Sequence, residues 1–135
     1  MSKRILLVMP PQRRLSLLNL LETNGLEVFA AKGFREAQRK LDTPASYDLV
    51  FVDAELPDGS WQDLLQHVKD SRRTCEMIVC SRCGDERLWA EVIQCGAFDL
   101  IVEPYEEREV LRIVQSALDS HYMRRFLQPV TARAS

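Results

Sequence analysis

The sequence predicts a doubly wound α/β domain built on a five-stranded parallel sheet. Five short apolar runs alternate with five amphipathic segments. The runs are continuously apolar, the pattern of strands covered on both faces. Nothing between them is left over for a hairpin or a second layer.

Each element has a local reason. Residues 4–8 (RILLV) read as a buried strand. Residues 11–25 read as a helix, with Pro11 in a first turn that needs no N–H there and Asn24-Gly25 closing it. A second strand follows at 26–31, then a short helix at 34–43 that stops before Pro44. The third strand, 47–52, is rich in β-branched and aromatic residues. The third helix spans 60–71, with Ser60 as N-cap and Asp63 three residues on as a partial capping box. A fourth strand at 76–80 leads to a helix at 85–96 that ends on Gly96. The fifth strand is 98–102, and the last helix, 106–127, is acidic at its start and basic at its end. Residues 1–127 are expected to form the domain, and 128–135 a flexible tail or the start of a linker.

Composition narrows the function classes. The 135 residues fit one domain able to bury its own core. With 18 basic and 20 acidic residues the net charge is −2, which gives no general attraction to nucleic acid or anionic lipid. The opening MSKRILLVMPP is too short an apolar run for a signal peptide, and no run is long enough to span a membrane. A cytoplasmic location is expected, with Cys75, Cys80, Cys83 and Cys95 as reduced thiols.

In a doubly wound sheet the functional site lies at the carboxyl ends of the strands. Those positions hold Met9-Pro10, Asp53, Ser81-Arg82 and Glu103-Pro104. The stretch LVFVDAELPDGSW (49–61) places an acid at a buried strand end, followed by a turn and a helix start. Together with ILLV, MIVCS and GAFDLIVEP in that order, it resembles the response-regulator receiver domain over about the first 120 residues.

The resemblance implies a flavodoxin-like (βα)5 fold with strand order 2-1-3-4-5, and a role in two-component, phosphorelay-type bacterial signal transduction rather than in enzyme catalysis. It implies that Asp53 is the phosphoryl acceptor, that Ser81 senses the phosphoryl group, and that Glu55 lends a backbone carbonyl to Mg²⁺. It also implies a cis peptide before Pro104. The departures are as informative. Met9-Pro10 stands where the family has the metal-binding acids, Glu103 where it has lysine, and Leu100 where it has an aromatic switch residue. Arg82 stands where a small residue is usual.

Phosphoryl transfer to a carboxylate brings an anion to an anion, and cations must neutralise the developing charge. Mg²⁺ needs hard oxygen ligands, which Met9 and Pro10 do not supply; only Asp53 and Glu55 remain as candidates. Glu103 adds a negative charge where a positive one is expected, and facing carboxylates raise one another's pKa. Arg82 is the candidate replacement cation, pairing with Asp53 and Glu103. The plainer roles are an Asp53 that caps turn amides and a Ser81 that bonds its own backbone.

The sequence therefore reads as an atypical, degenerate receiver. It acts as a phosphorylation-independent protein-interaction module toward a histidine kinase or another signalling protein, with no bound cofactor, no membrane contact and no direct nucleic-acid contact. The alternative is a slow but genuine phosphoacceptor. A remote alternative is a thiol redox protein using Cys80 and Cys83. Trp89 on the fourth helix is a candidate anchor on the face of the fourth helix, fifth strand and fifth helix, where a homodimer is also expected. Tyr122 and Phe126 extend past what the sheet needs, as a dimer seam or as a linker to an output module outside this chain. His67, His121 and the pair Arg124-Arg125 read as helix surface.

Overall fold

The computed structural model describes residues 3–134, with side chains as far as Phe126. The elements are β1 (Arg4–Val8), α1 (Pro11–Thr23), β2 (Glu27–Ala31), α2 (Phe34–Leu41), β3 (Leu49–Asp53), α3 (Trp61–Asp70), β4 (Glu76–Ser81), α4 (Glu86–Cys95), β5 (Asp99–Val102) and α5 (Glu107–Ala134). The five strands form one parallel sheet in the order β2-β1-β3-β4-β5.

The period-two alternation of each strand sorts its side chains onto two cores. Leu6, Val8, Val50, Val52, Met77 and Val79 face α2, α3 and α4. Ile5, Leu7, Phe51, Ile78, Cys80 and Ile101 face α1 and α5. Both faces of β3 are buried, which explains why its sequence shows no polar alternation. No helix among the described residues is long and apolar enough to cross a membrane.

Helix ends follow their sequence signals. Ser60 caps α3 by accepting from the Asp63 amide at 3.1 Å. Gly96 closes α4 at φ 94°, a left-handed conformation that suits glycine. The α2 start has Gly33 as its N-cap residue, with no side chain to offer. Its cap comes instead from the loop after β3: Asp58 Oδ1 accepts from the Phe34 amide at 2.7 Å and Oδ2 from the Arg35 amide at 3.1 Å. Burial works against the ionised form of Asp58, but these two amides outweigh it and hold its carboxyl below the usual range. A Cβ on Gly33 would lie 2.4 Å from Asp58 Oδ1, so this glycine makes room for the cap.

Two readings of the last helix need correction. α5 continues to Ala134, past the helix end expected at residue 127. His121 is not a surface residue; it is 3% exposed. Its Nδ1 lies 3.0 Å from the Thr74 carbonyl and its Nε2 3.1 Å from Asp48 Oδ1. His67 is also partly covered, with Nε2 2.8 Å from Asp42 Oδ1. Arg124 is solvated in part, yet its Nη1 donates to the buried Glu76 at 2.8 Å.

Candidate functional site

The site is assembled at the carboxyl edge of the sheet. Asp53 ends β3 and is fully buried. The local chain grips it: the Glu55 amide donates to its Oδ1 at 3.0 Å. The adjacent Ala54 amide donates to the Cys80 carbonyl at 2.8 Å, tying this turn to β4.

The cation beside Asp53 comes from α1. Arg13 Nη1 lies 2.9 Å from Oδ2 and donates to Oδ1 at 3.1 Å. Its Nη2 lies 3.8 Å from Glu103 Oε1. The Arg13 side chain is only 9% exposed, so this pair sits in a low-dielectric setting where its charges act strongly on each other. Arg82, expected in this role, is exposed and forms no ion pair with either carboxylate among the described residues. It lies just beyond β4, in the loop that leads to α4, while the first turn of α1 opens directly over the end of β1, the neighbour of β3.

Burial is the largest influence on the Asp53 carboxyl and raises it above its ordinary range. The Glu55 amide and the Arg13 guanidinium pull the other way without cancelling it. Arg82 adds only a minor long-range attraction.

The remaining strand-end residues fall into place around this pair. Met9 is fully buried among the α1- and α5-side core residues. Pro10 is the N-cap residue of α1. Ser81 Oγ donates to the Cys83 carbonyl at 2.7 Å and accepts from the Cys83 amide at 3.2 Å. Leu100 packs in the core under α4. The Glu103–Pro104 bond is cis. Burial drives the hydroxyl of Tyr105 far above its ordinary pKa, and its oxygen has no partner among the described residues.

A Mg²⁺ ion does not fit this donor set. Asp53 is engaged by Arg13 and by the Glu55 amide, Met9 belongs to the core, and Pro10 has no donor atom. No group of three or more His, Cys, Asp or Glu suited to a metal occurs among the described residues. Cys80 is fully buried, with its thiol pushed well up by burial, while Cys83 is exposed.

Arg13 is the residue that sequence reasoning missed. One signal was available. A helix N-terminus carries partial positive charge and favours acids, yet the first turn of α1 has none and has Arg13 instead. A basic residue placed against the dipole, directly after a strand end that carries no acid, marks a cation held there for another partner.

The comparisons with known proteins agree with this architecture. The chain belongs to the response regulator receiver domain family, which it matches over residues 10–115. It is 31% identical over 121 residues to the chemotaxis protein CheY of Bacillus subtilis, covering 88% of this chain and 100% of that one. It is 27% identical over 122 residues to the phosphate regulon transcriptional regulatory protein PhoB of Escherichia coli, covering 87% of this chain and 52% of PhoB. A CheY-like receiver domain from Methanospirillum hungatei superposes with a TM-score of 0.79 at 25% identity, over 92% of this chain and 99% of that one. The receiver domain of a putative LuxO repressor from Vibrio parahaemolyticus gives a TM-score of 0.82 at 21% identity, over 94% and 98% of the two chains, a likeness of fold. This protein is therefore a receiver domain of the two-component type, a signalling module.

Proposed function

We propose that this receiver signals through protein contacts, with Asp53 withdrawn from Mg²⁺-dependent phosphorylation. The observation that carries the reading is the buried Arg13–Asp53 ion pair at 2.9 Å. A phosphorylated receiver needs a cation at its carboxylate that neutralises the incoming phosphoryl oxygens. Here a resident guanidinium sits on that carboxylate, and its second arm faces Glu103, where the family has a lysine. Ser81 is engaged with the backbone of Cys83, as a strand-end hydroxyl without a phosphoryl partner is expected to be.

The exposed side chains of α4 supply a contact surface. Trp89 is 54% exposed and Ile93 42%, one helical turn apart. Tryptophan is enriched where partners bind. The proposed partner is a histidine kinase or another signalling protein, or a second copy through the α4-β5-α5 face.

The test is an amide NMR titration with Mg²⁺ and then beryllofluoride, on wild type and on Asp53→Asn. Wild-type spectra unchanged at millimolar metal support the proposal. Shifts at Asp53, Ser81 and α4 that vanish in Asp53→Asn overturn it. They establish instead the slow phosphoacceptor, which the position of Asp53 at the end of β3 also favours.

A further inference from the structure

We propose that the cavity over the Arg13–Asp53 pair binds a free α-amino acid, with its carboxylate on Arg13 and its ammonium on Glu103. The inference deepens the reading of Asp53 given above and rests on it, because Arg13 held against Asp53 keeps its other donors for a ligand. The cavity measures about 790 Å³. That volume lies in the range of small-molecule sites, roughly 300–1,000 Å³. Gln12, Arg13 and Ser16 of α1 form one wall, with Arg82 beyond β4 and Glu103 and Tyr105 beyond β5.

The pointer to a ligand is a set of buried donors. The Arg13 side chain is only 9% exposed, and its Nη1 alone serves Asp53. Its Nε and Nη2 are buried and have no hydrogen-bond partner among the described residues. These two nitrogens carry the parallel N–H bonds of one guanidinium edge, the fork that takes a carboxylate with both oxygens at once. Buried donors without an acceptor are costly and uncommon. Glu103 Oε1 stands 3.8 Å from Nη2, close enough to attract it but beyond hydrogen-bond reach. The Glu103 side chain is 37% exposed, so it can turn toward solvent and admit a carboxylate to the fork. The Tyr105 hydroxyl is a further buried donor without a partner among the described residues.

The charges select the kind of ligand. Arg13 and Arg82 meet Asp53 and Glu103 here, two of each sign. Arg82 is exposed and attracts Asp53 only at long range. A simple anion or a simple cation would upset this balance, whereas a zwitterion keeps it. The positive and negative partners are also close together, with 3.8 Å between Arg13 and Glu103. That short separation suits a carboxylate and an ammonium carried on one carbon. The cavity is larger than the α-amino acid head and leaves room for a side chain.

The experiment is an amide NMR titration of the full chain, free of Mg²⁺ and fluoride, with L-alanine. Propionate and isopropylamine serve as isosteres that lack the ammonium and the carboxylate. The expected result is saturable shifts at Arg13, Ser16, Arg82 and Tyr105, half-complete at about 1 mM alanine. Each isostere should bind about tenfold more weakly, because it leaves one charge unmatched. Arg82→Ala, at an exposed residue, should weaken alanine about fivefold with circular dichroism unchanged. Glu103→Gln should weaken alanine but not propionate. Propionate binding as tightly as alanine, an unchanged Arg82→Ala, or shifts mapping elsewhere would overturn the proposal. So would equal binding of N-acetyl-L-alanine, which points to a peptide instead. Silence toward both alanine and beryllofluoride overturns this inference alone. Beryllofluoride shifts that vanish in Asp53→Asn overturn the reading of Asp53 and this inference with it.

Discussion

Arg13 of α1 and Asp53 of β3 form a buried ion pair, 2.9 Å from Nη1 to Oδ2, at the carboxyl edge of the sheet. The two partners are not equivalent. Arg13 has a second carboxylate within reach in Glu103, at 3.8 Å. Asp53 has no second cation in contact among the described residues. Removing one member of a buried pair strands the other, at a cost of roughly 3–5 kcal/mol. Arg13→Ala is therefore expected to lower unfolding free energy by about 3 kcal/mol, and Asp53→Asn by about 1 kcal/mol, because Glu103 partly replaces the lost anion. The apolar double variant Arg13→Met/Asp53→Leu should recover most of the loss. Urea denaturation of the set checks this ordering; equal costs for the two single variants would refute the asymmetry.

The pH dependence follows from the raised carboxyl of Asp53. The unfolded chain ionises near the ordinary aspartate value, whereas the folded chain holds the proton to higher pH. Between those two values the folded state binds more protons, so stability falls as pH rises through that window. The contribution is fully present below the ordinary value of 3.8. Asp58 has the opposite sign: its depressed carboxyl contributes above the unfolded value, and that contribution is lost as pH falls through the folded one. Wild type minus Asp53→Asn stability, measured across acidic pH, should decline with rising pH. A rising difference would contradict the buried-carboxylate picture.

Most of the fold was legible because its signals are local. Continuous apolar runs gave the strands, Ser60 and Gly96 marked helix ends, and Asp53 stood out as an acid closing a buried strand. What stayed hidden depends on contacts distant in sequence. Arg13 meets Asp53 across 40 residues, and only the crossing of α1 over β1 brings them together. His121 lies on the same stripe as Val114, Ala117 and Leu118, yet its polarity disguised it. It is buried because Thr74 and Asp48 offer it oxygens at the lower edge of the sheet, which no local pattern announces. Trp89, a candidate anchor from its place on the fourth helix, is indeed exposed, whereas Trp61, on a helix as well, is buried by packing that no local pattern announces.

The loop after β3 and the start of α2 should behave as one unit. Asp58 supplies the cap that Gly33 lacks, so Asp58→Ala is expected to cost about 1 kcal/mol. Gly33 is extended at φ −168°, so alanine there is hindered by the carboxylate, not by its own backbone. Gly33→Ala should displace Asp58 and lose the same cap. In the Asp58→Ala background the glycine substitution should then cost only a few tenths of a kcal/mol. Additive costs in a double-mutant cycle would show that the steric conflict is relieved in some other way.

Arg72→Gly tests the left-handed residue just after α3. An L-residue in the left-handed region carries a penalty of about 1–2 kcal/mol, which glycine escapes. Glycine also gains freedom in the unfolded chain, which removes part of that benefit. The expected balance is a stabilisation of about 0.5–1 kcal/mol, read as a higher denaturation midpoint at unchanged slope. A variant that is more stable would show that the left-handed backbone at this position costs more than the Arg72 side chain contributes. A variant that loses stability would show that contacts of the Arg72 side chain outweigh its backbone strain, and would place its role in folding.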